Sequence, residues 1–128
     1  MLPAESAIVV LAVFLGGGIG AVLRLGITTF ILEKVSSIFP FGTFIVNISG
    51  TFAIGFIATI LLSSDYELLR LFLITGILGG YTTYSTYELE SAQLFRKNKV
   101  IALIYWLGSV IIGILTACLG IMVAEGLM

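Results

Sequence analysis

Four apolar runs, each long enough to cross a membrane, constrain this chain more than any other feature. They cover approximately residues 7–32, 42–62, 70–94 and 100–123, and short charged or turn-forming stretches separate them. A helix needs roughly 20 mostly apolar residues to span about 30 Å of hydrocarbon. With 59% hydrophobic and only 10% charged residues, a chain of 128 residues carries too much apolar surface for a water-soluble domain. The pattern predicts an all-α membrane protein, with residues 1–128 forming one domain of four transmembrane helices.

The composition also excludes several classes of function. The chain has no histidine, and its single cysteine, Cys118, lies within an apolar run. Zinc sites, disulfide frameworks and Cys/His catalysis therefore lack their residues. Basic clusters are absent and the net charge is −1, which argues against a nucleic-acid partner. With no Ser/His pair or carboxylate dyad, the sequence does not predict an enzyme.

Residues 79–87 interrupt the third apolar run with the sequence Gly-Gly-Tyr-Thr-Thr-Tyr-Ser-Thr-Tyr. Each glycine costs about 1 kcal/mol relative to alanine in a helix in water, so the pair weakens the helix here. In hydrocarbon every backbone group needs a partner, so a break survives only inside protein or beside a wet cavity. This segment is therefore predicted to be a place where something binds or passes.

Other polar residues occur within the predicted spans. Asn47 lies mid-span with Thr43 one turn before it, and Ser109 can face the same interior. Asn47 serves either a helix–helix hydrogen bond or a pathway. Tyr84 and Tyr87 are three residues apart and share a helix face; they either mark a membrane interface or line a cavity.

Charged residues near the spans also have either a structural or a functional interpretation. Arg24, the only basic residue inside a span, either extends to the interface or raises the anion concentration at a vestibule. Glu88 and Glu90 are interpreted as markers of the end of the third span. Lysine and arginine favour the side of the first and third loops, which gives a weak orientation with those loops cytoplasmic.

Small residues recur at helical spacing on every span and let membrane helices approach closely. They serve packing within one subunit or an interface between subunits, and four short helices hardly enclose a pathway alone, which favours an oligomer. The repeated positions are Gly16 and Gly20, Thr51 and Gly55, Gly76 and Gly80, and Ser109, Gly113, Ala117 and Gly120.

The motif Gly-Gly-x-Thr-Thr-aromatic-Ser-Thr-aromatic at residues 79–87 resembles the signature of the Fluc (CrcB) family of fluoride channels. Three further features agree with that family: Gly42-Thr43 followed by Asn47, Arg24 late in the first span, and Gly108-Ser109 in the fourth. Together they occupy all four predicted helices in matching order and spacing.

The resemblance implies a passive, fluoride-selective channel in the inner (plasma) membrane of a prokaryote, with several membrane passes. It implies an antiparallel dual-topology dimer with two fluoride pores, a third helix broken mid-membrane, and one structural sodium ion at the dimer interface. The resemblance also implies that backbone carbonyls hold this sodium. The implied positions are Gly79 and Thr82 for sodium, Asn47, Tyr84, Tyr87, Thr43, Ser85, Thr86 and Ser109 for fluoride, and Arg24 for the vestibule.

Two alternatives stay open at the level of sequence. Tyrosine replaces the family's usual phenylalanine at Tyr84 and Tyr87, and the uneven Lys/Arg count fits a subunit of fixed orientation in a heterodimer with a paralogous partner. A small proton-coupled multidrug exporter is also a dimer of four-helix chains. That class needs a carboxylate embedded in the first span, and this chain has none there.

Overall fold

The computed structural model describes residues 3–62 and 64–128, and its regular structure in those residues is helical throughout. Helix α1 covers Pro3–Lys34, α2 covers Phe41–Ile60, and a 3₁₀ turn at Ser64–Tyr66 leads to the next helix. Helix α3 is continuous over 67–81, α4 covers Tyr84–Lys97, and α5 covers Lys99–Glu125. The predicted all-α class is confirmed.

Three of these helices are long and apolar enough to cross a membrane, as judged over the described residues. They are Glu5–Lys34 within α1, Phe41–Ile60, and Lys99–Glu125. Helix α1 has 32 residues and is therefore about 48 Å long, more than the roughly 30 Å of hydrocarbon. The predicted run 70–94 is instead divided between α3 and α4, because the chain leaves the helix at Thr82 and Thr83.

The helices pack in two pairs, α1 against α3 and α2 against α5, and α4 lies on α5. Glycines set the close approach in both pairs. A methyl group on Gly20 would overlap the carbonyl of Ile77, and one on Gly55 would overlap the carbonyl of Ala117. The interpretation of these glycines as packing within one subunit is confirmed.

Helix α3 changes its hydrogen-bonding pattern where it meets α1. Residues Leu71–Leu78 are π-helical, and Gly76 of this stretch lies against the backbone of Gly16. Widened turns of this kind are rare and often occur near functional segments. Here the π-helical stretch is followed by the three α-helical residues Gly79–Tyr81 and then by the break at Thr82.

Side chains buried within the single chain are few, and their main cluster lies between α4 and the first turns of α5. Tyr87, Leu94, Ala102 and Tyr105 form the main cluster. Phe39 meets Tyr105 edge to face with ring centroids 5.3 Å apart. Much of the remaining apolar surface is exposed, as at Phe14 (74%) and Leu115 (62%), which suits contact with lipid or another chain.

Candidate functional site

The break between α3 and α4 is held by the side chain of Asn47. Thr82 and Thr83 have extended backbones, with ψ of 158° and 121°. The Asn47 amide Nδ2 donates to the Thr83 carbonyl at 3.0 Å, and the Thr83 amide donates to Asn47 Oδ1 at 2.9 Å. This pair of bonds replaces the helical partners that Thr83 has lost, as a buried backbone requires. Asn47 therefore fixes the extended conformation.

Thr83 also begins the helix that follows the break. Its Oγ1 accepts from the Thr86 amide at 3.2 Å, which is an N-cap, and donates to Thr86 Oγ1 at 3.0 Å. Ser85 Oγ lies 3.4 Å from the same oxygen. Three hydroxyls thus gather at the first turn of α4, so Ser85 and Thr86, both predicted site residues, lie together.

Two backbone carbonyls beside the break, those of Gly79 and Thr82, lie outside the hydrogen-bonding pattern of a regular helix. In a regular helix the Thr83 amide would donate to the Gly79 carbonyl four residues earlier; here it donates to Asn47 instead. The Thr82 carbonyl lies in extended backbone and receives the Arg24 guanidinium at 3.4 Å. Carbonyl oxygens of this kind suit a hard cation. Among the described residues no group of three His, Cys, Asp or Glu side chains offers another metal site.

The two predicted aromatic residues lie side by side but differ in burial. The rings of Tyr84 and Tyr87 have centroids 6.0 Å apart, and Tyr87 lies 5.4 Å from Tyr105. Tyr84 is 74% exposed in the single chain, whereas Tyr87 is 6% exposed. The Tyr87 hydroxyl donates to the carbonyl of Trp106 on α5 at 2.7 Å. Tyr87 is therefore fixed against α5, and Tyr84 projects from the surface.

A carboxylate that the sequence interpretation treated as a boundary marker is hydrogen-bonded across three helices. Thr43 of α2 donates to Glu90 Oε1 at 2.9 Å, and Tyr105 of α5 donates to Oε2 at 2.7 Å. Helix α4 continues two turns past Glu90 to Lys97. The interpretation of Glu90 as the end of the membrane span stays a prediction, and the structure adds that Glu90 joins α2, α4 and α5.

Ser109 is the predicted site residue on α5, and its surroundings are unusual. Its hydroxyl oxygen is buried and has no hydrogen-bond partner in the part of the chain that the structure describes. A buried polar group without a partner costs about 1–3 kcal/mol, so such a group needs an explanation.

A cavity of about 690 Å³, open on one side, lies between α1, α2 and α4. Its wall brings together Arg24, Thr43 and Thr86 of the predicted site with Thr83 and Glu90. The remaining predicted positions lie outside this wall: Gly79, Thr82, Asn47, Tyr84, Ser85, Tyr87 and Ser109. The structure thus divides the predicted residues between an open cavity, the break with the first turn of α4, and Ser109 on α5.

The comparison with known proteins identifies the family of this chain. A family described as CrcB-like protein, Camphor Resistance (CrcB), matches residues 11–121. The chain belongs to the CrcB family.

Curated CrcB relatives match over most of their length. The protein named fluoride-specific ion channel FluC 2 of Yersinia pseudotuberculosis is 43% identical over 121 residues, which cover 90% of this chain and 95% of that protein. The fluoride-specific ion channel FluC of Rhodopseudomonas palustris is 44% identical over 107 residues, covering 81% and 86%. The FluC 2 protein of Nitrobacter hamburgensis is 40% identical over the same lengths.

Three residues of this CrcB chain that contact the predicted site were missed by the sequence reasoning. Thr83 lies in the motif but was not assigned a role, Glu90 was interpreted only as a boundary marker, and Tyr105 was not named. Their spacing from predicted site residues could have indicated Glu90 and Tyr105, because Glu90 is three residues after Tyr87 and Tyr105 is four before Ser109. Each pair therefore shares a helix face.

Proposed function

We propose that this chain is a subunit of a fluoride-selective channel that lets fluoride leave the cell passively through the inner (plasma) membrane of a prokaryote. The observation that carries the proposal is the break at Thr82–Thr83, clamped by Asn47 and followed by a cluster of hydroxyls. The CrcB relatives bear the name fluoride-specific ion channel, which supplies the identity of the ion.

The chemistry around the break suits a small, strongly hydrated anion. A pore must replace the water of such an ion with other donors, without a fixed charge strong enough to trap it. The second N–H of the Asn47 amide, the hydroxyls of Ser85 and Ser109, and the positive ring edges of Tyr84 and Tyr87 can do this. In this proposal Thr43 and Thr86 continue the polar path towards the cavity.

Arg24 acts at the mouth of that path. It lies in the cavity wall, and its guanidinium is within 3.4 Å of the Thr82 carbonyl. A cation at an open cavity raises the local concentration of anions without entering the narrow part of the pore. Arg24 is therefore a vestibule residue in this proposal.

The third crossing of the membrane consists of α3 and α4 together. Neither part is a long uninterrupted apolar helix, but the Asn47 clamp satisfies the backbone of Thr83 between them. Broken helices of this kind are tolerated at membrane depth where they are buried in protein or line water. The chain then crosses four times.

A second subunit completes the pore. Tyr84, Ser85 and Thr86 are exposed in the single chain at the level of the break, where contact with hydrocarbon would be unfavourable. An antiparallel second copy would cover this polar surface and give two equivalent pores. The proposal is a homodimer; the alternative is a heterodimer in which a paralogous chain occupies the second position.

A structural sodium ion fits the carbonyls beside the break. Gly79 and Thr82 would hold it, because Asn47 has diverted the amide that would otherwise bond to the Gly79 carbonyl. The Thr82 carbonyl keeps one lone pair for the ion beside its contact with Arg24. Two carbonyls are too few for a hard cation, so the equivalent pair of the second subunit completes the oxygen ligands. The ion would contribute positive potential at the dimer interface.

The multidrug exporter is the weaker candidate. Between residues 6 and 32, α1 contains Arg24 and no acidic residue. A proton-coupled exporter of cationic drugs needs a carboxylate there, whereas an anion path does not.

Efflux from liposomes tests the proposed function. Purified protein is reconstituted into liposomes loaded with fluoride or with chloride, and release of each ion is followed with protein-free liposomes as the control. We expect rapid release of fluoride and retention of chloride. Equal release of both ions, or of neither, would contradict a selective channel. Absence of flux from this chain alone, with recovery when a paralogous chain is added, would replace the homodimer by the heterodimer.

A further inference from the structure

The hydroxyl of Ser109 stands apart from the other helical hydroxyls of the described chain. A serine or threonine within a helix usually donates to the carbonyl three or four residues earlier. Many here do so, at distances of 2.7–3.1 Å: Thr28, Ser49, Thr51, Thr59, Ser91 and Thr116. Ser109 is buried and does not.

The carbonyl three residues before Ser109 belongs to Trp106, and it is occupied from another helix. The Tyr87 hydroxyl of α4 donates to it at 2.7 Å. The same carbonyl, inside α5, also accepts the backbone amide of the next turn. A carbonyl oxygen has two lone pairs. These two donors therefore leave no room on the Trp106 carbonyl for the Ser109 hydroxyl, and Ser109 does not donate to the Tyr105 carbonyl four residues earlier either.

We propose that Tyr87 is a positioning residue whose hydroxyl occupies the Trp106 carbonyl and so keeps the Ser109 hydroxyl available as a donor to fluoride. This proposal rests on the proposed function for the identity of the ion. Phenylalanine at position 87 would keep the ring but free the Trp106 carbonyl, and Ser109 would then donate within its own helix. The tyrosine hydroxyl, which the family's usual phenylalanine lacks, thus serves the path without touching the ion.

The composition of the chain allows a direct test of the hydrogen bonds. It contains one tryptophan, so tryptophan labelled with ¹³C at its carbonyl places a single label at position 106. The infrared carbonyl band of that label moves to higher frequency when a hydrogen bond is lost. The band is measured for the native protein, Ser109→Ala, Tyr87→Phe and the double variant, in reconstituted membranes.

We expect Ser109→Ala to leave the band unchanged in the native background, because Ser109 does not bond to Trp106 there. In the Tyr87→Phe background the same change should raise the frequency, because Ser109 has taken over the carbonyl. An equal shift in both backgrounds, or no shift in either, would overturn the proposal. Tyr84→Phe removes a neighbouring tyrosine hydroxyl that the structure does not join to Trp106, and its band should match the native protein.

Fluoride efflux provides the functional readout. Ser109→Ala and Tyr87→Phe should each slow efflux by about fivefold to tenfold, which corresponds to the loss of one hydrogen-bond donor. The double variant should be no slower than either single variant. Tyr66→Phe, outside the long helices, should leave efflux unchanged. Additive losses would overturn the coupling of Tyr87 to Ser109. Failure of the native protein to carry fluoride would contradict the proposed function, while the infrared series would still report on the hydrogen bonds.

Discussion

Two contact regions, called the glycine seam and the Asn47 seam, hold this chain together in opposite ways. Between α1 and α3, Gly16 and Gly20 face Gly76 and Ile77 with no side chain between the backbones. Between α2 and the break, one side chain, that of Asn47, makes two hydrogen bonds to Thr83. The first seam depends on the absence of atoms and the second on the chemistry of particular atoms. The glycine seam should therefore be sensitive to size, and the Asn47 seam to polarity.

The largest effect is expected when a side chain enters the glycine seam. Gly20→Leu would place its first carbon over the Ile77 carbonyl, and backbone there cannot move aside cheaply. We expect loss of folded protein, since overpacking alone costs about 1–3 kcal/mol or more. Size-exclusion chromatography and thermal unfolding in detergent measure this. Gly18→Leu is the matched control on the same helix, because no atom lies within 4 Å of its added carbon. Equal behaviour of the two variants would contradict the seam.

The second largest effect is expected from Asn47→Asp, which preserves size and changes charge and donors. The variant loses the donor to the Thr83 carbonyl and brings a negative charge towards an anion path. A buried carbonyl left without its donor costs about 1–3 kcal/mol, so we expect fluoride efflux to fall by about 100-fold. Asn98→Asp is the control: Asn98 caps α5 through its side-chain oxygen, which aspartate retains. Native efflux from Asn47→Asp would be incompatible with the proposed path.

A smaller effect is expected at Glu90, where a polar contact joins three helices but lies away from the break. Tyr105→Phe removes one donor to the carboxylate and leaves the ring packing against Phe39 and Tyr87. Hydrogen bonds to charged groups contribute about 1.5–3 kcal/mol, so the melting temperature should fall clearly. Tyr66→Phe, at a tyrosine 51% exposed, should have no such effect. Identical melting of the two variants would mean that the Glu90 contacts do not stabilise the fold.

The same contrast explains which parts of the fold and of the candidate site could be predicted from the sequence. Periodic glycines and apolar runs are local patterns, so the helices and the glycine seam could be predicted. The motif at residues 79–87 also predicted a weak point in the third run. The hydrogen-bond partners of Asn47, Tyr87 and Glu90 could not be predicted from such patterns. Asn47 and Tyr87 bond to backbone atoms of distant segments. A backbone carbonyl such as that of Trp106 leaves no mark in the sequence. The hydrogen bond from the Tyr87 phenol to α5 could therefore not be predicted from the sequence.

The smallest effect is expected from the cap at the start of α4, which distinguishes the break itself from the helix after it. Thr83→Val keeps the shape and the extended preference of a β-branched residue but removes the acceptor for the Thr86 amide. Loss of an N-cap costs about 0.5–2 kcal/mol, so we expect modest destabilisation, while the Asn47 bonds to the Thr83 backbone remain. Thr83→Ser should restore stability because it returns the hydroxyl. Gly20→Leu is expected to abolish folding. If Thr83→Val did the same, the Asn47 seam would depend on the Thr83 hydroxyl more than on the Asn47 side chain.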